Sequence, residues 1–303
     1  MIKLLGYLQL IHTWHKRKMA AVAAVLPRGR TAAPFIAASV FASSCNDGEL
    51  SLTADLAVDP PADVTIQEVV TPLLGLEFRK SDNSIVTLEF SDAEVTDLLD
   101  FTTGAPLRMF SDEELPEGTY NGVRLLFEQS DTNEPFVLDG TGAQVTMALT
   151  EGDYASIDLV VDEDDNSDES LTLTLDLRQS LSFNDDEDQY ELSPVLRSVP
   201  TDSAGEIRGV ITTDCGSDVA VYAFSGEEVE PDDIDLSGVE PFATAPVDPF
   251  DLSYVLVFLP EGDYTLAVVC NASDEDPITD EELDFESVTT VALEEGEALQ
   301  QDL

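Results

Sequence analysis

The sequence predicts an all-β protein with two β-sandwich domains that follow an N-terminal export signal. Short segments in which apolar and polar residues alternate recur along the chain, and Gly, Pro, Asp and Asn separate them. Thr and Val are frequent in these segments, as in strands that bury one face of a sheet. A break at residues 200–205 divides the segments into two series, and many short strands with turns between them are typical of β-sandwiches.

The first 44 residues have the pattern of a bacterial lipoprotein signal peptide. Six basic residues and an apolar run precede the small residues Ala42-Ser43-Ser44, and Cys45 follows them directly. A basic region, an apolar core and small residues at the cleavage point are typical of a secretory signal. We therefore expect cleavage before Cys45, lipid attachment to its thiol, and a short tether over residues 45–49.

Two details of this signal stay open. Met19 is a second possible start, which would give a signal of ordinary length. Cys45 could also be incidental to an ordinary signal peptide or to a buried helix. Asn46 follows the cysteine where Asp would retain an enterobacterial lipoprotein at the inner membrane, so it favours the outer membrane. The lipid anchor would be the only contact with the membrane, because no other stretch approaches the roughly 20 apolar residues that a bilayer requires.

The chain after Cys45 is very acidic. It carries all 63 Asp and Glu residues but only seven of the 13 Lys and Arg residues, which gives a formal charge of −56. Such a surface repels nucleic acid and anionic lipid, so neither is an expected partner. It could attract cations or a basic partner, but adaptation to salt is the favoured interpretation, with a halotolerant Gram-negative bacterium as the source.

The first series of strands begins at residue 50, because Leu50, Leu52, Ala54 and Leu56 fall on one face of an extended segment. A short helix is predicted over residues 91–99, where Ser91 can cap the first turn and Glu94 lies three residues later. The strands of this domain, residues 50–200, are predicted over residues 50–56, 64–67, 74–79, 85–90, 120–127, 145–149, 155–161, 171–177 and 190–198.

The second series, in residues 205–303, fits a small immunoglobulin-like or transthyretin-like sandwich. A segment rich in Pro and Asp, residues 227–249, is predicted to be a long loop. Cys215 and Cys270 form a pair, and a cysteine pair in an exported protein indicates a disulfide. That bond closes a loop of roughly 54 residues and stabilises by about 4 kcal/mol through loop entropy. The strands are predicted over residues 206–212, 219–224, 254–259, 264–269 and 287–293.

A hexapeptide occurs once in each series. Leu-Pro-Glu-Gly-Thr-Tyr at residues 115–120 recurs as Leu-Pro-Glu-Gly-Asp-Tyr at residues 259–264. Pro fixes φ and Gly permits a positive φ, as a tight turn requires. We expect Tyr120 and Tyr264 to pack across a corner with their hydroxyls on backbone, which is a structural role in β-sandwiches.

Five stretches of the first series occur in the order found in a known protein family. They are Leu50-Ser-Leu-Thr, Asp97-Leu-Leu-Asp-Phe-Thr, Leu115-Pro-Glu-Gly-Thr-Tyr-Asn-Gly-Val-Arg-Leu, Leu173-Thr-Leu-Asp-Leu-Arg-Gln-Ser and Leu192-Ser-Pro-Val-Leu-Arg. Through these stretches, residues 49–200 resemble a bacterial lipoprotein family called domain of unknown function 4382. The family has no assigned activity, so the resemblance implies a fold and an envelope location. Residues 205–303 resemble, more weakly, carboxypeptidase-regulatory or transthyretin-like modules.

The mature chain lacks the residues on which common enzyme mechanisms depend. His12 and His15 both precede the predicted cleavage point, so no general base of this type remains. Lys80 is the only mature lysine and lies in a charged turn, which also disfavours a Ser-Lys mechanism. Paired carboxylates of a hydrolase stay an alternative, but no particular pair stands out among so many acids. The sequence therefore predicts a protein that is not an enzyme and needs no cofactor.

One acidic stretch resembles the start of a calcium loop. Asp162, Asp164, Asn166 and Asp168 alternate in the way that oxygen ligands of a hard cation do. Ser167 stands where an EF-hand has Gly, and Leu173 where it has Glu, so the stretch is not an EF-hand. A solvated hairpin tip is the more ordinary interpretation, and Ca²⁺ binding is the alternative.

Two arginines lie within or at the end of apolar strands. Arg124 and Arg178 are either exposed on a polar face or partly buried in ion pairs that fix strand register, for example with Asp176. The sequence as a whole predicts a lipid-anchored envelope protein that acts as a non-catalytic binding, adhesion or structural module, whose protein or glycan partner is unknown. A calcium-dependent adhesin is the alternative.

Overall fold

The computed structural model describes residues 49–102, 104–129, 132–162, 167–215, 218–235 and 237–303, which all belong to one compact unit. These residues form strands with only short helical turns, so the predicted all-β class is confirmed. The predicted signal peptide and Cys45 lie outside the described residues. None of the described helices is long and apolar enough to cross a membrane.

Residues 49–200, here called the first half, contain twelve strands among the residues described. Their one α-helix, α1, has a single turn, Leu177–Ser180. The strands are β1 (Glu49–Asp59), β2 (Glu68–Lys80), β3 (Ile85–Asp97), β4 (Leu107–Pro116), β5 (Gly118–Phe127), β6 (Phe136–Leu138), β7 (Gln144–Leu149), β8 (Leu159–Val161), β9 (Asp168–Asp176), β10 (Leu181–Asn184), β11 (Gln189–Leu192) and β12 (Leu196–Pro200).

The twelve strands form two sheets that share one hydrophobic core. Sheet I has the order β12-β9-β1-β4. Sheet II has the order β10-β11-β7-β6-β2-β5-β8, and β3 pairs with β2 beside this path. Leu52 and Leu173 of sheet I belong to the same buried cluster as Leu76 and Leu125 of sheet II.

Strand β1 lies inside sheet I rather than at its edge. It pairs in parallel with β9 from Ser51↔Asp168 to Asp59↔Asp176 and antiparallel with β4 on its other side. The alternation that predicted this strand puts its four apolar residues, Leu50 to Leu56, in the core. The first described strand is therefore held on both edges and on one face.

Residues 205–303, here called the second half, contain seven strands among those described. Sheet III has the order β16-β13-β19 and sheet IV the order β15-β14-β17-β18. The strands are β13 (Gly205–Val210), β14 (Ala220–Ser225), β15 (Ala243–Pro246), β16 (Ser253–Leu259), β17 (Gly262–Val269), β18 (Phe285–Leu293) and β19 (Ala298–Gln300).

The second half has a core on each face of sheet IV. One core lies between sheets III and IV and includes Ile207, Leu256 and Leu266. The other includes Tyr222, Phe224 and segments that cover the outer face of sheet IV. The predicted disulfide is confirmed: Cys215 and Cys270 are bonded, with their Cα atoms 4.8 Å apart.

The helix predicted over residues 91–99 is wrong. Strand β3 continues to Asp97, and a short 3-10 helix follows at Leu98–Phe101. The carboxylate of Asp97 accepts a hydrogen bond from the Leu99 amide at 3.1 Å, so Asp97, not Ser91, provides the cap. Pairing of β3 with β2, in which Glu94 lies opposite Leu73, overrides the local capping pattern.

Three strand predictions differ from the structure. Residues 64–67 are not a strand: residues 64 and 65 form a turn, in which the Asp63 carboxylate accepts a hydrogen bond from the Thr65 amide at 2.8 Å and Val64 is 71% exposed. The segment 190–198 is two strands, interrupted at Ser193 to Val195 around a proline that cannot donate to a ladder. Residues 155–161 form only β8 and a single bridge between Val123 and Ala155.

The predicted loop 227–249 also contains a strand. β15 pairs with β14 from Ala223↔Ala243 to Ala220↔Pro246 and forms an edge of sheet IV. Four residues in a segment rich in Pro give too short a pattern to stand out from a loop. Strands β4, β6, β10 and β19 are likewise additions to the predicted set.

Candidate functional site

Two arginines of the first half reach the second half, and we call these side chains and the groups that they contact the junction. Arg178 lies in α1, which directly follows β9. Arg197 lies in β12, opposite Thr174 of β9. Both guanidinium groups therefore leave the first half near the C-terminal end of the same strand.

The local sequence fixes the direction of α1. Asp176 ends β9 with extended backbone, and its carboxylate accepts a hydrogen bond from the Gln179 amide at 3.1 Å. The same carboxylate accepts another from Gln179 Nε2 at 2.9 Å. Gln179 Nε2 also donates to Pro241 O in the second half at 2.9 Å. Asp176 is therefore a helix cap, and this cap aims the helix residues at the second half.

Arg178 anchors the larger of two buried polar clusters at the junction. Its side chain is buried, and Nη1 donates to Ala272 O at 2.5 Å and to the Tyr222 hydroxyl at 3.4 Å. The Tyr222 hydroxyl donates to Glu275 Oε2 at 2.8 Å. The Ile234 amide donates to the other oxygen of Glu275 at 3.1 Å. Arg178 thus contacts two segments of the second half, and Glu275 joins a third, at Ile234, to them.

The carboxyl group of this cluster titrates near neutral pH. Burial raises the pKa of Glu275 to about 7, although the hydrogen bonds from Tyr222 and Ile234 and the charge of Arg178 act in the opposite direction. Burial also raises the pKa of the Tyr222 hydroxyl, which keeps it protonated as a donor. Desolvation is the dominant cause because both groups lie away from water.

Arg197 forms the second cluster with Asp59, the last residue of β1. Nη1 lies 2.5 Å from Asp59 Oδ2, and both side chains are 8% exposed. Nη2 donates to Val257 O of the second half at 3.3 Å. Burial raises the pKa of Asp59 to about 6 despite the charge of Arg197, and the charge of Asp176 adds to the increase. A buried pair of this kind holds position well but is costly to desolvate.

An open groove of about 820 Å³ lies beside Asp59. The first half contributes Asp59, Pro60 and Thr102 to its walls, and the second half contributes Arg208 and Val255, among others. Arg208 pairs with Glu206 at 3.0 Å within the second half. The groove joins the two halves along its length, but its lining favours no single ligand chemistry.

Arg124 lies in a different cluster, on sheet II. Its Nε donates to Glu77 at 2.8 Å and its Nη1 to Glu151 at 2.8 Å. Glu77 lies directly opposite Arg124 in the pairing of β2 with β5. The Tyr154 hydroxyl donates to Glu77, and the Arg124 guanidinium lies 4.8 Å from the centre of the Tyr154 ring. Arg124 was predicted to be either exposed or in a partly buried ion pair, and the structure shows the ion pair.

The suggested pairing of these arginines with Asp176 is wrong. Arg124 is in sheet II and Asp176 is in sheet I, and the cross-strand neighbour Glu77 is the nearer acid. Arg178 turns away from the cap that Asp176 forms and donates instead to Ala272 O and the Tyr222 hydroxyl. Local sequence spacing gave Asp176 as a partner, whereas tertiary contacts set the observed ones.

The two tyrosines of the repeated hexapeptide make the same contact. Tyr120 OH donates to Pro116 O at 2.5 Å, and Tyr264 OH donates to Pro260 O at 2.9 Å. Burial raises the pKa of each hydroxyl to about 12. Both rings are buried in the cores of their halves, so the hexapeptide closes a corner in each.

Two of the four candidate calcium ligands belong to the described residues. Asp162 and Asp168 are exposed, while Asp164 and Asn166 lie outside the described residues. In the described parts of the chain, no group of three or more His, Cys, Asp or Glu side chains is arranged to hold a metal ion.

The sequence did not single out Asp59, Arg197, Tyr222 or Glu275. The sequence contained one signal for these contacts. Only seven basic residues follow Cys45, so each Arg has many acids as possible partners. The partners of Arg197 and Arg178 lie 138 and 94 residues away, so their identity depends on the fold.

Residues 53–194 match the family described as Domain of unknown function (DUF4382). This match confirms the resemblance that the sequence predicted for the first half. The predicted resemblance of the second half to carboxypeptidase-regulatory or transthyretin-like modules stays a prediction. No curated protein matches the chain.

Several solved structures align over most of the chain, but with low similarity. The Bacillus anthracis TIE protein shares 10% identity over 84% of this chain and 34% of its own, with a TM-score of 0.21. A fimbrial protein from Bacteroides ovatus shares 12% identity over 85% and 49%, with a TM-score of 0.21. The major pilin from Streptococcus pyogenes shares 8% identity over 85% and 96%, with a TM-score of 0.16. The chain spans about a third and about half of the first two proteins, and these TM-scores support no functional argument.

Proposed function

We propose that this protein is a lipid-anchored, non-catalytic module of a Gram-negative cell envelope, in which two β-sandwich domains act as one rigid body. The observation that carries the proposal is the junction, where buried arginines of the first half bind the second half. The body presents an acidic surface to a binding or adhesion partner. The outer membrane is the proposed location, and a halotolerant host is the proposed source.

The position of β1 supports attachment at Cys45. This strand starts four residues after the cysteine and lies between β9 and β4 in sheet I. An anchor on Cys45 therefore connects almost directly to the interior of a sheet. A lipid at this point holds the body close to the membrane surface.

The polar clusters support a structural rather than a catalytic role. The two carboxyl groups with pKa values of about 6 and about 7, Asp59 and Glu275, are buried and hydrogen-bonded to protein groups. Perturbed pKa values are common at active sites, but ion-pair networks produce them too. Here the groups serve the contact between the halves.

The charge of the mature chain supports a particular kind of partner. A formal charge of −56 disfavours anionic surfaces and nucleic acid, and it disfavours close self-association at low salt. The partner is therefore a protein with a basic surface or an uncharged glycan.

The anchor is tested by growing cells that express the protein with labelled palmitate. The wild type should carry the label and remain with membranes, and Cys45→Ala should lose both properties. Ser44→Ala keeps a small residue at the cleavage point and serves as the matched control that retains the label. Label that persists on Cys45→Ala contradicts the proposed anchor.

A further inference from the structure

An apolar pocket opens at the edge of the first half. Its volume is about 310 Å³, within the lower range of small-molecule sites. Leu52 and Leu171 are buried and form its floor, while Ile157 and Leu159 are half-buried. Pro200 completes the apolar lining.

The pocket exists because the two sheets do not close over each other here. Strand β8 has only three residues, and the segment before it makes a single bridge to β5. Ser198 Oγ of β12 donates to Ser156 O at 2.7 Å and joins sheet I to the segment before β8 at one point of the opening. The opening therefore presents the half-buried Ile157 and Leu159 to a ligand, above the buried floor residues Leu52 and Leu171.

The rim of the pocket selects against negative charge. Its polar residues include Asp158 and Glu169, and no basic residue lines it. A ligand with a carboxylate, such as a free fatty acid, meets two like charges at the mouth. An acyl chain in an ester or amide carries no charge at that end and avoids this repulsion.

The pocket is close along the chain to the proposed lipid site. Leu52 lies seven residues after Cys45, and seven extended residues span at most about 24 Å. Leu52 also lies near the start of β1, so the first described strand passes this pocket close to its N-terminal end.

We propose that this pocket holds one acyl chain of the lipid on Cys45. The inference rests on the proposed anchor and adds a binding site for part of it. The shielded chain loses its contact with water, and the lipid end of the protein is held in a defined place beside sheet I.

Binding is tested first on the full-length Cys45→Ala chain with an uncharged, fluorophore-labelled dodecanamide. The probe should bind saturably, and Ile157→Glu should weaken binding at least tenfold. Val160→Glu is the matched control, because Val160 is 49% exposed on the same segment and does not line the pocket; its affinity should stay within twofold. Ser156→Trp fills the mouth without a new charge and should also weaken binding at least tenfold.

Competition tests the role of the rim. Unlabelled dodecanamide should displace the probe at least tenfold more effectively than dodecanoate. Equal displacement by both, absence of saturable binding, or equal weakening by Ile157→Glu and Val160→Glu each overturns the pocket. Unfolding midpoints of the variants, measured in parallel, identify any loss of probe binding that comes from misfolding. If Ile157→Glu is misfolded, the affinity of Ser156→Trp decides whether the probe binds in the pocket.

Occupancy by the protein's own lipid is tested by amide hydrogen exchange over residues 156–159. The lipidated wild type should exchange at least fivefold more slowly there than Cys45→Ala in the same micelles. Equal exchange with palmitate label present on Cys45 overturns this occupant alone. Absence of the label overturns the anchor itself, and with it this occupant, even if the probe still binds.

Discussion

Arg197 shows at the scale of a single residue what joins the two halves. It pairs with Asp59 where both side chains are 8% exposed, and within the described residues no acceptor contacts its buried Nε. Desolvation of such a pair can cost as much as its attraction returns. The Asp59–Arg197 pair therefore mainly fixes the positions of β1 and Val257, and it contributes little to the free energy of unfolding.

We expect Asp59→Leu to destabilise the protein by about 3 kcal/mol, because Arg197 is left with a buried and uncompensated charge. Addition of Arg197→Met should return the free energy of unfolding to within about 1 kcal/mol of the wild type. Urea unfolding measures both. Glu206→Leu removes a partly exposed ion pair and should change stability by less than about 0.5 kcal/mol. A double variant no more stable than Asp59→Leu contradicts the expectation.

Glu275 makes stability depend on pH in the opposite direction to a surface carboxylate. Its pKa is about 7 when folded and 4.5 in its ordinary state, so the folded protein holds the proton more tightly. The resulting stabilisation is fully present below about pH 4.5 and is lost as pH rises through 7. Asp59, with a pKa of about 6, acts in the same direction.

We therefore expect the Glu275 carboxyl to add about 2 kcal/mol to the free energy of unfolding when pH falls from 7.5 to 5.5. Glu275→Gln should lose this part of the gain, whereas the exposed control Glu261→Gln should keep it. Urea unfolding at the two pH values measures the difference. An equal gain in wild type and Glu275→Gln would show that other groups cause it.

Among the elements, the corners that contain Tyr120 and Tyr264 show how far a local motif determines structure. In each, a Gly with positive φ two residues before the tyrosine lets the chain turn, with φ of 150° at Gly118 and 156° at Gly262. The hydroxyl then reaches the proline carbonyl four residues back. A repeated hexapeptide thus gives a repeated contact in two separate cores.

We expect Tyr264→Phe to lower the free energy of unfolding by about 1 kcal/mol, because the Pro260 carbonyl loses its hydrogen bond while ring packing stays. Tyr120→Phe should cost a similar amount, and the two losses should add because the residues lie in different cores. Denaturant unfolding of the single and double variants measures this. Phe183→Leu, which alters a half-buried ring, controls for packing changes, and losses that fail to add would indicate coupled corners.

Strands with long alternation could be predicted from sequence, and short or interrupted ones could not. β1 and β17 gave clear patterns because the apolar residues of β1 are buried and those of β17 enter the cores on the two opposite faces of sheet IV. β4 contains Ser-Asp-Glu-Glu, and a register shift against β1 with Asp112 at a φ of 55° breaks its alternation. The mistaken helix at residues 91–99 had a valid local cap, but pairing with β2 offered more hydrogen bonds.

The candidate site was predictable only in part for a related reason. Scarce arginines beside strands suggested ion pairs, and Arg124 forms one with Glu77. The pairing of Arg178 with Ala272 O and Tyr222 depends on how the halves meet, and no periodicity encodes that.

For the whole molecule, the junction predicts how the halves unfold. Each half has its own core, so the halves would unfold separately if the junction were weak. Arg178 connects α1 with two segments of the second half, at Tyr222 and at Ala272, and the second of these directly follows the disulfide at Cys270.

We expect the wild type to unfold in one calorimetric transition and Arg178→Ala to unfold in two. Arg178→Ala removes about 2 kcal/mol of hydrogen bonding to a charged group between the halves. The less stable half should then unfold by itself in the lower transition. Arg208→Ala, which removes an exposed arginine within the second half, should keep the single transition. A single transition at unchanged temperature in Arg178→Ala contradicts the coupling.

The parallel pairing of β1 with β9 has a mechanical consequence. Nine consecutive residue pairs, from Ser51↔Asp168 to Asp59↔Asp176, hold β1 along its length. A pull on the N-terminal end of β1 runs along the strand axis, so these hydrogen bonds are sheared together instead of opening one after another. Resistance to such a pull depends on the rate of forced unfolding rather than on equilibrium stability. A body tethered at that end would keep its fold under drag from flowing water.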